Sequence, residues 1–457
     1  MAKRHSLKST LLLLLLLPFL LLALKRIIDI RKGAAGVPAF IVIDTRGSQG
    51  PVNTAFWQNF SQGGEEPRDM VGPVSSQVRS LRPQLIRVDH IFDYYNVFQS
   101  PGSYNFNELD TVINGILQTG AKPMLSLSYT TPQMAQNGQN AGEPKNWADW
   151  YDLVRATAKR YSIDKNISGI YYEIWNEPDL FGSWHYAKNP NYSTLYVQSA
   201  RAVTEGAGNT FFKVGGPSTT ALYSNWLKSI FTTAQNNNVR LDFISWHKYS
   251  KNIGEFEKDY LKLNELLTSY PRFSRIEKII TESGPNSEPD AIYDNHYSAV
   301  HLISLVTKMY GKISRLFTFE LVDGPSSRSD LSTGWGILTH PSKGGQPKPR
   351  YQALQFLNQL QGQKLYHSGD GTNVSSLSVQ NGSVTQTILV NFDPQGVHTE
   401  TVPVNYRHLS SGKYRLTVNT FSGPSRTKNV TVTTDTLSEI LFLEPNTAVL
   451  LELSPIY

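Results

Sequence analysis

Short apolar runs alternate with longer amphipathic stretches over the first three quarters of the chain. Eight runs are rich in β-branched and aromatic side chains and read as strands: 39–44, 84–89, 122–128, 169–177, 212–217, 242–249, 278–284 and 315–321. Between the third and fourth runs, Trp147 to Tyr161 places apolar residues on one helical stripe behind Asn146, a good helix N-cap. Similar stripes cover 192–206 and 294–310, and a helix near 351–360 would end the series. Eight alternations predict an α/β fold, the (β/α)₈ or TIM barrel.

The pattern changes after about residue 362. Short segments of alternating apolar and polar residues follow, separated by Gly, Asn, Ser and Pro, as in VTQTILVNF and AVLLEL. This pattern is typical of a small all-β sandwich. The sequence therefore predicts a signal anchor and linker over 1–36, a catalytic barrel over 37–361 and a β-sandwich domain over 362–457.

An apolar run near the start, Leu11 to Leu24, has basic clusters on both sides. It is short for a hydrocarbon core of about 30 Å, but it suits the core of a signal peptide or a short anchor. Because no small-x-small cleavage site directly follows Leu24, we expect an uncleaved signal anchor that attaches the protein to a membrane. We expect the body to be extracytoplasmic, or secreted if the segment is cleaved, although basic residues on both sides leave the orientation open.

The net positive charge of the chain comes from that first segment. The formal net charge is +6, and residues 1–32 hold seven basic side chains and one acidic side chain. The remainder is balanced, so it offers no positive footprint for a polyanion, and nucleic-acid binding is excluded. The chain has no cysteine, which excludes disulfides and thiolate metal sites.

Two carboxylates stand at the ends of predicted strands. Glu177 closes YYEIWNE and is followed by Pro178, which disfavours helix at Glu177 and cannot donate to a sheet. Glu282 closes KIITE and is followed by Ser283 and Gly284, where the backbone can turn. They end the fourth and seventh strands, so both should lie at the C-terminal rim, where barrel enzymes place their chemistry.

Two carboxylates that face each other across a sugar ring are the groups that glycoside hydrolysis needs. When the carboxyl groups lie about 5 Å apart, one attacks the anomeric carbon and the other protonates the leaving oxygen, with retention of configuration. The pair therefore predicts a glycoside hydrolase acting on a polysaccharide or oligosaccharide.

Several motifs resemble the clan A retaining glycoside hydrolases. They are WNEP at the end of the fourth strand, HKY on the sixth, TESG on the seventh and the closing GWGILTHPSKGGQPKPRYQAL. Over residues 38–361 the chain is most similar to family 39, which includes β-xylosidases, α-L-iduronidases and some exopolysaccharide endoglycosidases. The resemblance implies that Glu177 is the acid/base, Glu282 the nucleophile and Asn176 a partner of the sugar 2-hydroxyl. An exopolysaccharide substrate is an expectation from the anchor and the family.

Further candidates for substrate binding lie on the same rim. Arg87 resembles the clan's arginine that hydrogen-bonds the nucleophile and would keep Glu282 ionised. Strand alternation turns His247 and Tyr249 into the barrel, and the resemblance implies that they contact the nucleophile. The remaining candidates are Asp89 and His90 after the second strand and Trp335, whose ring suits stacking on a sugar. Glu173 also points inward and should pair with a group such as Arg87.

Two rival functions remain open. Lys248, at the end of the sixth strand, could form a Schiff base with a carbonyl substrate, as in barrel aldolases, but alternation turns it toward the helices. A barrel without activity could bind glycans at the membrane, but this would be marked by loss of one of the two acids. The histidines are scattered and nothing resembles HExxH, so we expect no metal, no cofactor and a carbohydrate as the partner of a monomer.

Overall fold

A computed structural model describes residues 36–64, 66–325 and 334–457. Up to residue 164 its elements are β1 (Ile41–Pro51), β2 (Asn59–Gln62), α1 (Ser75–Ser80), β3 (Leu85–Val88), β4 (Phe98–Ser100), β5 (Ser103–Tyr104), α2 (Asn107–Gln118), β6 (Lys122–Ser126), α3 (Trp147–Ala158) and a π-helical turn (Lys159–Asp164). From residue 170 to 357 they are β7 (Ile170–Glu173), α4 (Tyr192–Ala207), β8 (Phe212–Thr219), α5 (Ser224–Asn236), β9 (Phe243–Tyr249), α6 (Gly254–Leu267), β10 (Glu277–Gly284), α7 (His296–Met309), β11 (Arg315–Phe319) and α8 (Pro349–Leu357). The strands after residue 357 are β12 (Gln363–Ser368), β13 (Val374–Asn381), β14 (Val384–Asn391), β15 (Glu400–Arg407), β16 (Gly412–Thr420), β17 (Ser425–Val432), β18 (Thr436–Leu443) and β19 (Thr447–Ile456).

Eight parallel strands close into a barrel in the order β2, β3, β6, β7, β8, β9, β10, β11. Helices follow most of these strands, and the predicted helix at Trp147 is confirmed, with the side chain of Asn146 accepting a hydrogen bond from the backbone N–H of Ala148. The predicted (β/α)₈ fold is therefore confirmed. Seven of the eight predicted barrel strands overlap observed ones.

A small apolar cluster fills the N-terminal end of the barrel. It consists of Leu85, Met124, Tyr171, Phe243, Ile279 and Phe317, one from each of six strands. Because side chains alternate along a strand, the residues two positions further along point inward one layer nearer the C-terminal rim. In β3 and β7 these are Arg87 and Glu173, so a polar layer rests on an apolar floor.

The predicted first strand of the barrel, 39–44, is wrong. These residues lead into β1, which pairs antiparallel with β12 and parallel with β15 and so belongs to the β-rich second domain. The first barrel strand is β2, in the segment WQNFSQ. Its residues are all buried, but only Phe60 is apolar. Burial of the polar residues is tolerated because Ser61 donates a hydrogen bond to the backbone of Thr281 on β10 and Gln62 donates one to Glu320, just after β11. An apolar pattern could not reveal such a strand.

The remaining strands form a nine-stranded sheet around a second core. Its order is β17-β16-β19-β14-β13-β12-β1-β15-β18, and the core includes Ile41, Leu389 and Tyr406. The opposite side of β13 and β14 packs on the barrel, where Thr307 of α7 meets Ser375 through a hydroxyl pair at 2.6 Å. The second domain is therefore β-rich, and it includes β1 in addition to strands of the predicted sandwich segment 362–457.

The predicted membrane anchor, Leu11 to Leu24, lies outside the described residues. Among the helices of the described ranges, none is long and apolar enough to cross a membrane.

Candidate active site

The strand that carries the first predicted acid ends earlier than expected. The sequence predicts a strand over 169–177, but β7 ends at Glu173, and Trp175 and Glu177 have left-handed backbone angles, φ of 72° and 45°. The reason is the Trp175 indole, which is fully buried between the barrel and its helices against Trp150 and Trp184. The turns bring the side chains of Asn176 and Glu177 together at the mouth of the barrel. In a regular strand, alternation would have pointed these two side chains in opposite directions.

Glu282 lies on β10, opposite His247 of β9, at a local irregularity of the parallel register. Both carboxylate oxygens accept hydrogen bonds. Arg87 Nη1 lies 2.9 Å from Oε1, and the hydroxyl of Tyr249 lies 2.8 Å from Oε2. The predicted contacts of Arg87 and Tyr249 with this carboxylate are therefore confirmed.

His247 lies between the two acids. Its Nδ1 is 2.8 Å from Oε1 of Glu177 and 3.4 Å from Oε2 of Glu282, and its Nε2 is 3.0 Å from the hydroxyl of Ser218. One oxygen of each carboxylate and a ring nitrogen of His247 all lie within 4.8 Å of one another. This spacing fits the short carboxyl separation of retaining rather than inverting glycosidases.

Arg87 lies beneath the site and is fully buried. Its Nε lies 2.6 Å from Oε2 of Glu173, and its Nη2 lies 2.6 Å from the side-chain oxygen of Asn176. The pairing of Glu173 with Arg87 is as predicted. Since a buried charge is costly without a partner, Glu173 balances the guanidinium while Arg87 orients both Asn176 and Glu282.

Burial dominates the protonation of Glu282. It raises the pKa of this carboxyl to about 7, with the charges of Glu177 and Asp89 adding to the effect and those of His247 and Arg87 opposing it. Arg87 lowers the pKa of Glu282, which is the direction expected from the sequence, but burial outweighs this contribution. Burial lowers the pKa of His247, but the charge of Glu282 and the hydrogen bond to Glu177 outweigh burial and raise it overall.

The remaining predicted residues line a cavity of about 660 Å³ over the pair. Asp89 is buried, its Oδ1 has no hydrogen-bond partner among the described residues, and burial raises its pKa. His90 borders the cavity with Nδ1 2.9 Å from Oδ2 of Asp93. Trp335 faces the same space, and its ring packs edge-on against Phe319. The fold therefore brings together all nine residues predicted from the sequence.

Two residues of the site were missed. The Tyr129 hydroxyl accepts a hydrogen bond from Nδ2 of Asn176 at 2.7 Å. The Ser218 hydroxyl contacts Nη2 of Arg87 at 3.3 Å and joins it to His247. Each follows a predicted strand by one residue, in SLSY and GGPS, so the rule that selected Glu177 and Glu282 would have found them if applied one position later.

Lys248 borders the cavity, but its charge points away from the acids. Its Nζ lies 3.4 Å from Oδ2 of Asp259, on α6. This is the outward orientation that alternation predicts, and an ammonium paired in this way is a poor Schiff-base nucleophile. The geometry disfavours the aldolase reading.

A metal ion is the other group that the cluster could hold. Among the described residues, Glu177, His247 and Glu282 offer three ligand atoms close enough for one ion. The same atoms are hydrogen-bonded to one another, and Arg87 places a permanent positive charge beside Glu282. An ion would have to displace the imidazole proton and bind against that charge, so the donor set does not fit a resident metal.

The chain matches the family model for glycosyl hydrolases family 39 over residues 75–392, well over half of its length. The chain belongs to family 39. It is 25% identical over 302 residues to a beta-xylosidase of Geobacillus stearothermophilus and 26% identical over 294 residues to a beta-xylosidase of Caldicellulosiruptor saccharolyticus. Each match takes in 58% of this chain and 58% of the relative, so the match covers little more than half the length of these family 39 relatives.

Solved structures of the family have the same fold. The family 39 enzyme from Xanthomonas axonopodis pv. citri aligns with a TM-score of 0.73 and 19% identity, over 92% of this chain and 98% of that one. A monomeric beta-xylosidase from Caulobacter crescentus aligns with a TM-score of 0.71 and 20% identity, over 92% of this chain and 100% of that one. At these identities the likeness establishes the architecture of barrel and β-rich domain.

Proposed function

We propose that this family 39 protein is a retaining glycoside hydrolase that cleaves O-glycosidic bonds by double displacement. The observation that carries the proposal is the pair of carboxylates, Glu177 and Glu282, held by the single ring of His247 beneath an open cavity. Family membership supports the same reaction class. The separation of the pair leaves no room for the water that an inverting enzyme places between substrate and base.

Burial distinguishes the roles of the two acids. The side chain of Glu282 is 8% exposed, and both its oxygens accept hydrogen bonds, which suits a nucleophile that must become a carboxylate and then an ester. The side chain of Glu177 is 16% exposed and has no arginine partner among the described residues. An acid/base must reach the leaving oxygen first and a water molecule afterwards, so the more accessible Glu177 takes that role.

The proposed reaction has two steps, formation and hydrolysis of a glycosyl ester on Glu282. The carboxylate of Glu282 attacks the anomeric carbon while the proton of Glu177 passes to the leaving oxygen, and the bond between that carbon and oxygen breaks. Glu177, now ionised, takes a proton from water, which attacks the same carbon and releases Glu282. Asn176, fixed between Arg87 and Tyr129, is placed to bind the hydroxyl beside the reacting carbon.

The substrate we propose is an oligosaccharide or polysaccharide, with an exopolysaccharide at the cell surface as the specific hypothesis. The cavity volume of about 660 Å³ falls in the range of small-ligand sites, and its walls combine aromatic rings with the carboxyl group of Asp89. Rings suit the C–H face of a pyranose, and Asp89 suits its hydroxyls. β-Xylosides belong in a first substrate panel because the family 39 relatives are beta-xylosidases.

We also propose that the N-terminal segment anchors the protein, as a monomer, with its body outside the cytoplasm. The apolar run Leu11 to Leu24 between basic clusters supports the anchor. Carbonate extraction of membranes tests whether the segment is an anchor. Protease accessibility of the body in intact spheroplasts tests on which side of the membrane the body lies.

Intact mass spectrometry tests the reaction. The unmutated protein and Glu177→Gln are exposed to a panel of 2-fluoro glycosides with activated leaving groups. We expect one added sugar, mapped to Glu282, since the fluorine slows release of the ester. An adduct that persists in Glu282→Gln, or no adduct together with no digestion of any polysaccharide, overturns the proposal.

A further inference from the structure

The outer surface of the β-rich domain carries exposed apolar side chains on the face turned away from the domain core. Phe40, Ile440 and Phe442 are 54%, 70% and 57% exposed, unusually high for large apolar residues. With Val42 and Pro403, which are half-buried, we call this set the apolar outer face.

Sheet register shows that these residues are neighbours. Pro403 of β15 is directly opposite Ile440 of β18. Phe442 is paired with Thr401, two positions along the same strands. Phe40 precedes Ile41, which is paired with Val404, so Phe40 continues the row next to Pro403. The face thus runs across three adjacent strands, β1, β15 and β18, and continues to the sheet edge at β18.

The face carries little charge. In the paired part of the three strands the outward row contains one acid, Asp44, whose carboxylate lies 2.7 Å from Nδ1 of His408, and one base, Arg407. Of the acids nearby, Glu439 is turned inward and pairs with Lys428, whereas Glu444, two positions after Phe442, is exposed just beyond the paired part. Within the paired part of the three strands, an anionic surface would therefore meet no unpaired carboxylate.

The apolar outer face lies close in sequence to the predicted membrane anchor, which indicates the surface that it contacts. Phe40 lies four residues after Gly36, the first described residue, and the apolar run ends at Leu24. The residues between, 25–35, can extend at most about 3.5 Å each, which keeps Gly36, four residues before Phe40, within about 40 Å of the run. Four of these eleven residues are basic: Lys25, Arg26, Arg31 and Lys32.

We propose that the apolar outer face docks on the surface of the lipid bilayer that holds the N-terminal segment. Apolar side chains enter the boundary between headgroups and acyl chains by about 5–10 Å, and basic residues nearby add attraction to anionic lipid. The short tether makes contact frequent, because it holds the face at a high effective concentration near the membrane. Docking fixes the orientation of the barrel over the bilayer.

The absence of cysteine allows a direct test with the full chain. Single variants Ile440→Cys and Phe442→Cys carry a nitroxide spin label, and Leu261→Cys on α6, 64% exposed, is the matched control. The protein is reconstituted into vesicles of phosphatidylethanolamine and phosphatidylglycerol. The label's accessibility to oxygen, which concentrates in lipid, is compared with its accessibility to a water-soluble nickel chelate.

We expect the ratio of oxygen to nickel accessibility to rise several-fold on vesicles at 440 and 442 and to stay unchanged at 261. Flotation of the vesicles reports the anchor separately. A chain that floats with aqueous labels at 440 and 442 overturns docking and leaves the anchor standing, whereas a chain that does not float overturns both. Short distances between labels on two copies would assign the face to self-association and overturn lipid docking. Because glycosidase activity is a separate readout, failure of the proposed function is distinguishable from all of these.

Discussion

Arg87 Nη1 lies 2.9 Å from Oε1 of Glu282, yet the pKa of that carboxyl is raised to about 7. The same guanidinium also pairs with Glu173 and lies 3.9 Å from Asp89, so its positive charge is shared among three acids. Burial of Glu282 therefore raises the pKa more than the guanidinium of Arg87 lowers it. The site holds a nucleophile whose ionisation falls in the physiological pH range, and several measurable consequences follow from that.

The first consequence is the pH profile of activity. Glu282 attacks only as a carboxylate, which is its form above its pKa, so kcat/KM should fall as the pH drops through about 7. The measurement is kcat/KM from pH 4 to 9 on an activated aryl glycoside. If the acidic limb has its midpoint near 4.5, the ordinary pKa of glutamate, then burial does not raise the pKa of Glu282 as expected.

Tyr249→Phe should move that limb. The hydroxyl donates to Oε2 of Glu282 at 2.8 Å and so favours the charged form. Without it the pKa of Glu282 rises further, and the acidic limb shifts to higher pH, with kcat/KM lower by about tenfold at pH 7. A loss of activity that is equal at every pH would show that Tyr249 acts only by positioning.

Glu177→Gln should separate the two chemical steps. Loss of the proton donor lowers kcat/KM by about 10²–10⁴-fold on substrates with poor leaving groups and far less on dinitrophenyl glycosides. Azide, which needs no general base, should restore turnover of the activated substrates and give a glycosyl azide. The matched control is Glu288→Gln, an exposed acid that lines the same cavity. Equal losses on both kinds of substrate would remove Glu177 from the acid/base role.

Lys248→Met should affect folding rather than chemistry. Removing the ammonium leaves Asp259 without its ion-pair partner in a mostly buried position, so we expect a Tm lower by a few degrees and kcat within about threefold of the unmutated protein. Lys258→Met, whose side chain is 70% exposed on the same helix as Asp259, is the control and should change neither. A large loss of kcat at unchanged Tm, or a borohydride-trapped adduct at Lys248, would revive the aldolase reading.

Chelators should leave activity unchanged. The three atoms that could bind an ion, on Glu177, His247 and Glu282, are already occupied by one another. The measurement is kcat after dialysis against EDTA, with and without added Zn²⁺ or Ca²⁺. Loss of activity on dialysis followed by recovery with one ion would place a metal in the cluster.

The sequence by itself determined the barrel and the position of its acids. Strand ends are visible locally, because proline and glycine interrupt the apolar runs, and the parallel fold then gathers all such ends at one rim. This is why Glu177, Glu282, Arg87 and Tyr249 could be placed together without coordinates. The inward pairing of Glu173 and the outward direction of Lys248 follow from alternation alone.

Only the tertiary structure decided the rest, because it depends on partners distant in the chain. Strand β2 can be buried because residues distant in the chain, Thr281 and Glu320, accept hydrogen bonds from its polar side chains. Segment 39–44, whose pattern predicts a barrel strand, pairs instead with β12 and β15. The turn at Trp175 results from its packing against Trp150 and Trp184. The pKa of Glu282 is set by desolvation, which no local pattern encodes and which exists only once the barrel has closed around the carboxylate.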